Sequence, residues 1–215
     1  MSSRVAHRIS WALVAIVFLG TLAVYPNLPA MMATHWSVSG KVNGTMSTFF
    51  GAFVLPFVML LLLLLFTAIP SIDPLRINIQ YFRPQYDTFV ALLMLFFAVI
   101  QTSILAVNLG ATYDQRLVVL PAVGILMFYV GVILPQTKRN WFIGIRTPWT
   151  ISSDRVWQKT HELGGKLFKI FGVVIVLSAF VPSYAVAAIV SLLIVMVVGL
   201  FAYSYWLYEE ERKVA

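Results

Sequence analysis

Arg146, Lys159, His161 and Glu162 are the side chains of this chain best placed to do polar chemistry, and all fall between Asn140 and Gly165. His161 beside Glu162 offers a proton acceptor with an acidic neighbour. Arg146, between Trp141 and Trp149, suits a lipid phosphate, a partner carboxylate or stacking on an aromatic face. Nothing around these groups completes a catalytic constellation. There is no Gly-x-Ser-x-Gly, no His-Glu-x-x-His, no Walker loop and no pair of acids. A second polar cluster, Thr34-His35-Trp36 to Gly40 and Gly44, stands far upstream. His35 could ligate, accept a proton or touch a ligand. It could equally be hydrogen-bonded within a compact loop whose Trp36 anchors at a membrane interface. The Ser39-Gly40 and Asn43-Gly44 pairs read as turns.

The elements around these residues must be apolar helices. Of 215 residues 60% are hydrophobic and 11% charged, and mean hydropathy is +0.90. Soluble domains carry about 25% charged residues. A chain so poor in charge needs lipid as solvent, and its continuous apolar runs exclude the alternating pattern of a β-barrel. The expected fold is all-α: a polytopic helical bundle of six spans near Ile9–Tyr25, Thr48–Ile69, Thr88–Leu109, Leu117–Leu134, Lys166–Val181 and Tyr184–Tyr208. Pro56 is an expected kink in the second. The first run is read as an uncleaved helix rather than a signal peptide, because no small-x-small site follows closely. No internal repeat or disordered tail is evident.

Charge orients the bundle. Only Lys41 and Arg116 fall on one side of these spans; the other 13 of the 15 basic residues fall on the opposite side. Both termini are therefore expected in the cytoplasm. That bias also accounts for the net charge of +7 without direct nucleic-acid binding. His35 and His161 then lie on opposite faces and cannot share a metal; with no cysteine in the chain, no metal or other cofactor is expected. The deep parts of the spans carry no ionisable side chain, and Gln101 is the most central strongly polar one, which argues against ion-coupled transport.

The long cytoplasmic loop, 136–165, has its own expected structure. Phe142 to Trp149 should be extended, because Gly144 breaks helix and Pro148 disfavours it at Thr147. Ser152 or Ser153 should cap a helix with Asp154 at its positive end, stopping at Gly164-Gly165. Trp157, His161 and Gly164 share a face of it, which would suit a helix lying among lipid headgroups or a plug at the mouth of the bundle. Asp73, Arg83 and Asp87, in the link before the third span, could pair with this basic loop.

Phe142-Ile-Gly-Ile-Arg-Thr-Pro-Trp149 and Trp157-x-x-Thr-His161-x-x-Gly-Gly165 resemble the signature loop of the SdpI family of membrane proteins. Thr34-His35-Trp36 to Gly40-x-x-x-Gly44, with the second span, resembles the amino-terminal domain of unknown function common in that family. Ile72-Asp-Pro-Leu-Arg to Phe82-Arg-x-x-Tyr86 resembles its link. Ser37 and Asn43 depart from the Asn and Asp expected there. The resemblance implies a non-enzymatic, multi-pass plasma-membrane protein of the toxin-immunity type, with a two-span region 1–87, external loop 27–47, and a four-span region 88–215. One member of the family gives immunity to a secreted peptide and recruits a transcriptional repressor to the membrane. Here it implies an external contact at His35, Trp36 and Gly40. It further implies a cytoplasmic partner or ligand site at Arg146, Thr147, Trp149, Trp157, Lys159, His161, Gly164 and Gly165. The alternative is a transporter or headgroup enzyme, with Arg146, His161 and Gln101 lining one deep cavity.

Overall fold

A computed structural model describes residues 1–37 and 40–214; Ser39 of the expected Ser39-Gly40 turn lies outside them. Apolar runs become helices in chain order: α1 (Ser3–Val24), α2 (Thr48–Ile72), the short α3 (Arg76–Gln80), α4 (Arg83–Asn108), α5 (Arg116–Ile133), the short α6 (Pro148–Ser152), α7 (Asp154–Ser178) and α8 (Pro182–Val214). Five of them, α1, α2, α4, α5 and α8, are long and apolar enough to cross a membrane. Their outward faces carry Ile16, Leu61 and Val195, each more than 60% exposed (63, 65 and 68%). In water that surface would drive aggregation; in lipid it is solvated. The protein is thus a multi-pass helical membrane bundle.

The core follows from the same residues. Val14 and Val17 of α1, Met59 and Leu63 of α2, and Val90 and Met94 of α4 form one buried cluster. Gln101 is the polar bolt of that half. Its Nε2 donates to the Ala52 carbonyl at 2.8 Å and to Thr21 Oγ1 at 3.3 Å, tying three helices together. Such a bond replaces water that lipid cannot supply.

Two expectations about loops are corrected. The segment between α1 and α2, expected as a compact loop with turns at Ser39-Gly40 and Asn43-Gly44, is a hairpin, β1 (Met31–Trp36) antiparallel to β2 (Val42–Ser47). Asn43 and Gly44 lie in its second strand rather than in a turn. A small sheet therefore decorates the helical bundle. It is held down by Met32, fully buried against Ala52 and Phe53, and by Asn108, whose side chain exchanges two hydrogen bonds with the backbone of Ala33.

The second correction concerns Gly164-Gly165. Helix α7 does not stop there; it runs unbroken from Asp154 to Ser178. The glycines serve close approach instead. A Cβ on Gly165 would meet the Gly131 carbonyl at 2.9 Å and Pro135 at 2.5 Å; one on Gly172 would meet the Gly124 carbonyl at 2.5 Å. Gly131 opposite Gly165 and Gly124 opposite Gly172 place α5 and α7 antiparallel, backbone against backbone, over two heptad-spaced pairs. Small residues permit the separation at which dispersion and Cα–H···O contacts hold helices together where lipid removes the hydrophobic drive.

Candidate functional site

The helices have two ends, and each carries a cluster singled out by sequence. At the end bearing most basic residues, α5 gives way to residues 137–147, which fold back over the first turns of α7. Four side chains shape this loop. Asn140, fully buried, accepts from the backbone N–H groups of Phe142 and Ile143 and donates to the carbonyls of Lys138 and Ile143. Trp157, 1% exposed, donates from Nε1 to the Thr137 carbonyl at 3.1 Å. His161, fully buried, stacks on Trp157 with ring centroids 4.1 Å apart. Thr147 caps α6 in a reciprocal box with Thr150 and donates to Ser204 Oγ on α8 at 3.0 Å.

The histidine's tautomer follows from its partners. The Ile145 N–H donates to Nε2 at 2.8 Å, so Nε2 is an acceptor. Nδ1 then carries the hydrogen and donates to the Trp157 carbonyl at 2.7 Å. A neutral imidazole is required, and burial pushes the His161 pKa down from 6.5 to about 4. Gly144 passes directly over this ring with φ +123°; a Cβ there would stand 2.4 Å from Nε2. Only glycine fits, by space and by backbone conformation. Gly164 is less constrained: a Cβ there would meet Ile145 Cδ1 at 2.4 Å, the end of a side chain that can move aside. The tryptophan–histidine face thus packs inward on the loop, as expected of a plug at the mouth of the bundle and not of a headgroup-facing helix, the two arrangements the sequence left open. Asp154 does sit in the first turn of α7, with Ser153 as the cap.

Neighbouring elements close the joint. Asp73 Oδ2 accepts from the Trp141 N–H at 2.9 Å and Asn78 donates to the Arg139 carbonyl at 2.7 Å, so the link before α4 docks on this loop. Arg83 and Asp87 instead pair with each other within α4. Trp149 packs against Phe201 and Tyr205 of α8, and Ser153 donates to Glu211. Of the residues singled out by sequence at this end, Arg146 is exposed and donates to the Trp141 carbonyl, and Lys159 is exposed and paired with Glu162 at 3.6 Å. Sequence reading missed Thr150 and Ser204, and saw Gly144 only as a helix breaker.

The opposite end carries the hairpin. A pocket of about 350 Å³ lies under the hairpin, between β1 and the ends of α4, α5 and α8. His35 and Trp36 form its roof, and Ile104, Val119 and Ile189 its apolar walls. His35 is oriented by Asn43, Nδ1 to Oδ1 2.6 Å, with Gly44 against its Cβ. Gly40, at φ +78°, turns the hairpin beside Asp114. Gln115, which sequence reading passed over, also lines the pocket. It is 4% exposed; its Oε1 accepts from Ser103 Oγ at 2.5 Å, while its Nε2 has no hydrogen-bond partner. A polar residue at the start of a span gave no sign of this.

The constellation Arg146, His161 and Gln101 is not assembled. Gln101 bonds to Thr21 and Ala52 near the hairpin end, whereas His161 is at the basic end. Among the described residues no group of three histidine, aspartate or glutamate side chains could hold a metal ion.

Comparison with known proteins places both ends in one framework. The SdpI/YfhL protein family model matches residues 136–206, and a domain of unknown function, DUF1648, matches residues 12–60. The chain is 27% identical over 203 residues to the immunity protein SdpI of Bacillus subtilis (strain 168), covering 94% of this chain and 95% of that protein. No solved structure matches.

Proposed function

We propose, from the match of residues 136–206 to the SdpI/YfhL family model and the likeness to an immunity protein, that this chain is a non-enzymatic immunity protein of the plasma membrane, protecting its cell from a secreted peptide toxin. The observation that carries this reading is the end-to-end likeness to an immunity protein, which spans both the hairpin and the basic loop. In the proposed topology both termini are cytoplasmic, and the second half of α7 is a sixth crossing. The antiparallel glycine contacts with α5, itself long and apolar enough to span, support that crossing. Regions 1–87 and 88–215 act as a two-span and a four-span unit. The hairpin, with His35, Trp36 and Gly40, meets the toxin outside. The basic end receives any cytoplasmic regulator, such as a repressor, through its exposed groups, Arg146 and Lys159. Thr147, Trp149, Trp157, His161, Gly164 and Gly165 hold those groups in place.

The test is survival of a toxin-sensitive bacterial host expressing the chain, at verified membrane abundance, under challenge with the peptide toxin neutralised by the Bacillus subtilis relative. Survival well above the empty-vector control is expected. Survival equal to that control would sink the proposal.

A further inference from the structure

Away from both clusters, the starts of α1 and α4 flank a cleft of about 400 Å³ lined by Ser3, Arg4, His7, Arg8, Arg83 and Asp87. Gln101 joins Thr21 near the far ends of the same two helices, so they run parallel and begin side by side. Three guanidiniums share this cleft with one carboxylate, and that carboxylate is already engaged. Asp87, 6% exposed, accepts from Arg83 Nε at 2.9 and 3.0 Å. Among the described residues Arg4 and Arg8 have no ion-pair partner, and the terminal nitrogens of Arg83 have no acceptor. Arg4 and Arg8 stand at i and i+4, where like charges repel. Neither helix carries an acid in its first turn, so the positive ends of both dipoles add to the same field. Two positive charges are thus uncompensated within one cleft.

Guanidiniums bind phosphate oxygens in pairs. The rest of α1 selects a lipid phosphate over a soluble one. Arg4, Arg8 and Trp11 follow at i, i+4 and i+7 on one face, all exposed, and Ala15 and Leu22 continue that face as exposed apolar surface. Cations, then an interfacial tryptophan, then apolar side chains match the order of phosphate, glycerol backbone and acyl chain in a phospholipid. The cleft has the size of a small-molecule site, which admits a headgroup with its phosphate and leaves the chains outside on that face. A zwitterionic headgroup would bring an ammonium into the same positive field, so a headgroup without an amine is favoured.

We infer that this cleft is a binding site for one anionic phospholipid of the adjacent leaflet, its phosphate held by Arg4, Arg8 and the terminal nitrogens of Arg83. In the proposed topology that leaflet is the cytoplasmic one. The site does not depend on the immunity reading. Bound lipid offsets the repulsion between Arg4 and Arg8 and fastens the start of α1 to α4.

The experiment titrates the full chain in nonionic detergent with phosphatidylglycerol or phosphatidylcholine of the same acyl chains, and native mass spectrometry reads the lipid retained. Arg4→Gln with Arg8→Gln removes the two unpaired cations. Lys138→Gln with Arg155→Gln removes two exposed cations outside the cleft and is the control. Each variant is first matched to wild type in monodispersity and thermal midpoint without added lipid. Should the cleft pair fail that match, Arg8→Gln alone replaces it. Wild type and control are expected to retain phosphatidylglycerol in preference to phosphatidylcholine, and the cleft variant to need at least about tenfold more of it. Phosphatidylglycerol should also raise the thermal midpoint of wild type but not of the cleft variant. Equal retention of both lipids by wild type overturns the site, as does undiminished retention by the cleft variant. An equal loss in the control would reveal only general attraction to the basic end and overturns it too. Glycerol 3-phosphate carries the phosphate without chains. If it displaces the lipid at equal concentration, the cleft belongs to a soluble phosphate and the lipid occupant is overturned.

Discussion

The two ends of this molecule differ in how their sequence motifs are used, although each keeps a buried polar atom without a hydrogen-bond partner, Thr160 Oγ1 at the basic end and Gln115 Nε2 at the hairpin end. At the basic end, Asn140, Thr147, Trp157 and His161 are buried, and each is hydrogen-bonded to a neighbour within the chain. At the hairpin end the motif is thinner, a pocket of about 350 Å³ lies beneath it, and the buried Gln115 Nε2 has no hydrogen-bond partner. A dense run of tryptophan, histidine and glycine looks like a binding site because binding sites use those residues. Here the same residues are needed to fold an irregular loop onto a helix without stranding its backbone N–H and carbonyl groups. The difference teaches that motif density measures constraint, and constraint can come from architecture as well as from a ligand.

That contrast can be broken by substitution. The largest effect is expected from Gly172→Leu. Its side chain would be driven into the backbone of α5 at Gly124 and Phe128, where nothing flexible can yield. More than about 3 kcal/mol should be lost, read as a collapse of folded yield in detergent. Trp157→Ala should follow at about 3–5 kcal/mol if the protein still assembles, because it removes a fully packed ring and unpairs the Thr137 carbonyl. Its thermal midpoint, compared with that of wild type, measures the loss. A midpoint unchanged by Trp157→Ala would mean that the basic end is not the rigid partner in the comparison.

Acid supplies a gentler probe. His161 is held neutral in the folded protein, with a pKa of about 4 against 6.5 for the free side chain. Its contribution to stability is complete above about pH 6.5. It declines below that, as the unfolded state binds the proton first, and is lost as pH falls through about 4. Hydrogen exchange at the Ile145 amide, which bonds to Nε2, should therefore rise relative to neighbouring amides as pH falls through this window. A flat profile in that window would remove the histidine from the joint.

The smallest effect is expected at the other end. Gln115→Met deletes an amide whose nitrogen is unpaired and whose oxygen accepts from Ser103 Oγ, which keeps its Tyr113 contact, so stability should change by no more than about 1 kcal/mol despite near-complete burial. A large loss of thermal midpoint would show that Gln115 is as architectural as His161, and the contrast between the ends would disappear.

What could be read from sequence depended on how local the cause was. Five spans were legible because hydrophobic length against bilayer thickness is a one-dimensional property. The cap at Ser153 with Asp154 was legible because its bonding partner, Val156, is three residues away. The run Gly164-Gly165 was not, because a glycine that ends a helix and one that admits a neighbouring backbone look identical in sequence. Deciding between them needs Gly124 and Gly131, more than thirty residues upstream and in matching register. The hairpin was obscured for a related reason. Asn43-Gly44 is a good turn pair, but Asn43 bonds to His35 across the sheet and Gly44 makes room for it. Gln115 was invisible because its significance is the lack of a partner, which only packing reveals.

The glycine contacts between α5 and α7 also bear on how the protein is made. Helix α7 carries Asp154, Arg155, Lys159, Glu162, Lys166 and Lys169 on its first sixteen residues, and only the stretch from Ile170 to Ser178 is free of charge. That stretch is far short of the roughly 20 apolar residues that partition into a bilayer unaided. In the six-crossing topology α7 cannot leave the translocation machinery by its own hydrophobicity. In that topology its entry would depend on packing against neighbours: α5, synthesised earlier and carrying Gly124 and Gly131 as a close-approach track, and α8, whose Met196 and Leu200 cluster with Phe171 and Ile175. With α7 as a sixth crossing, membrane insertion and tertiary pairing would be a single event, in which the glycines serve biogenesis as well as packing.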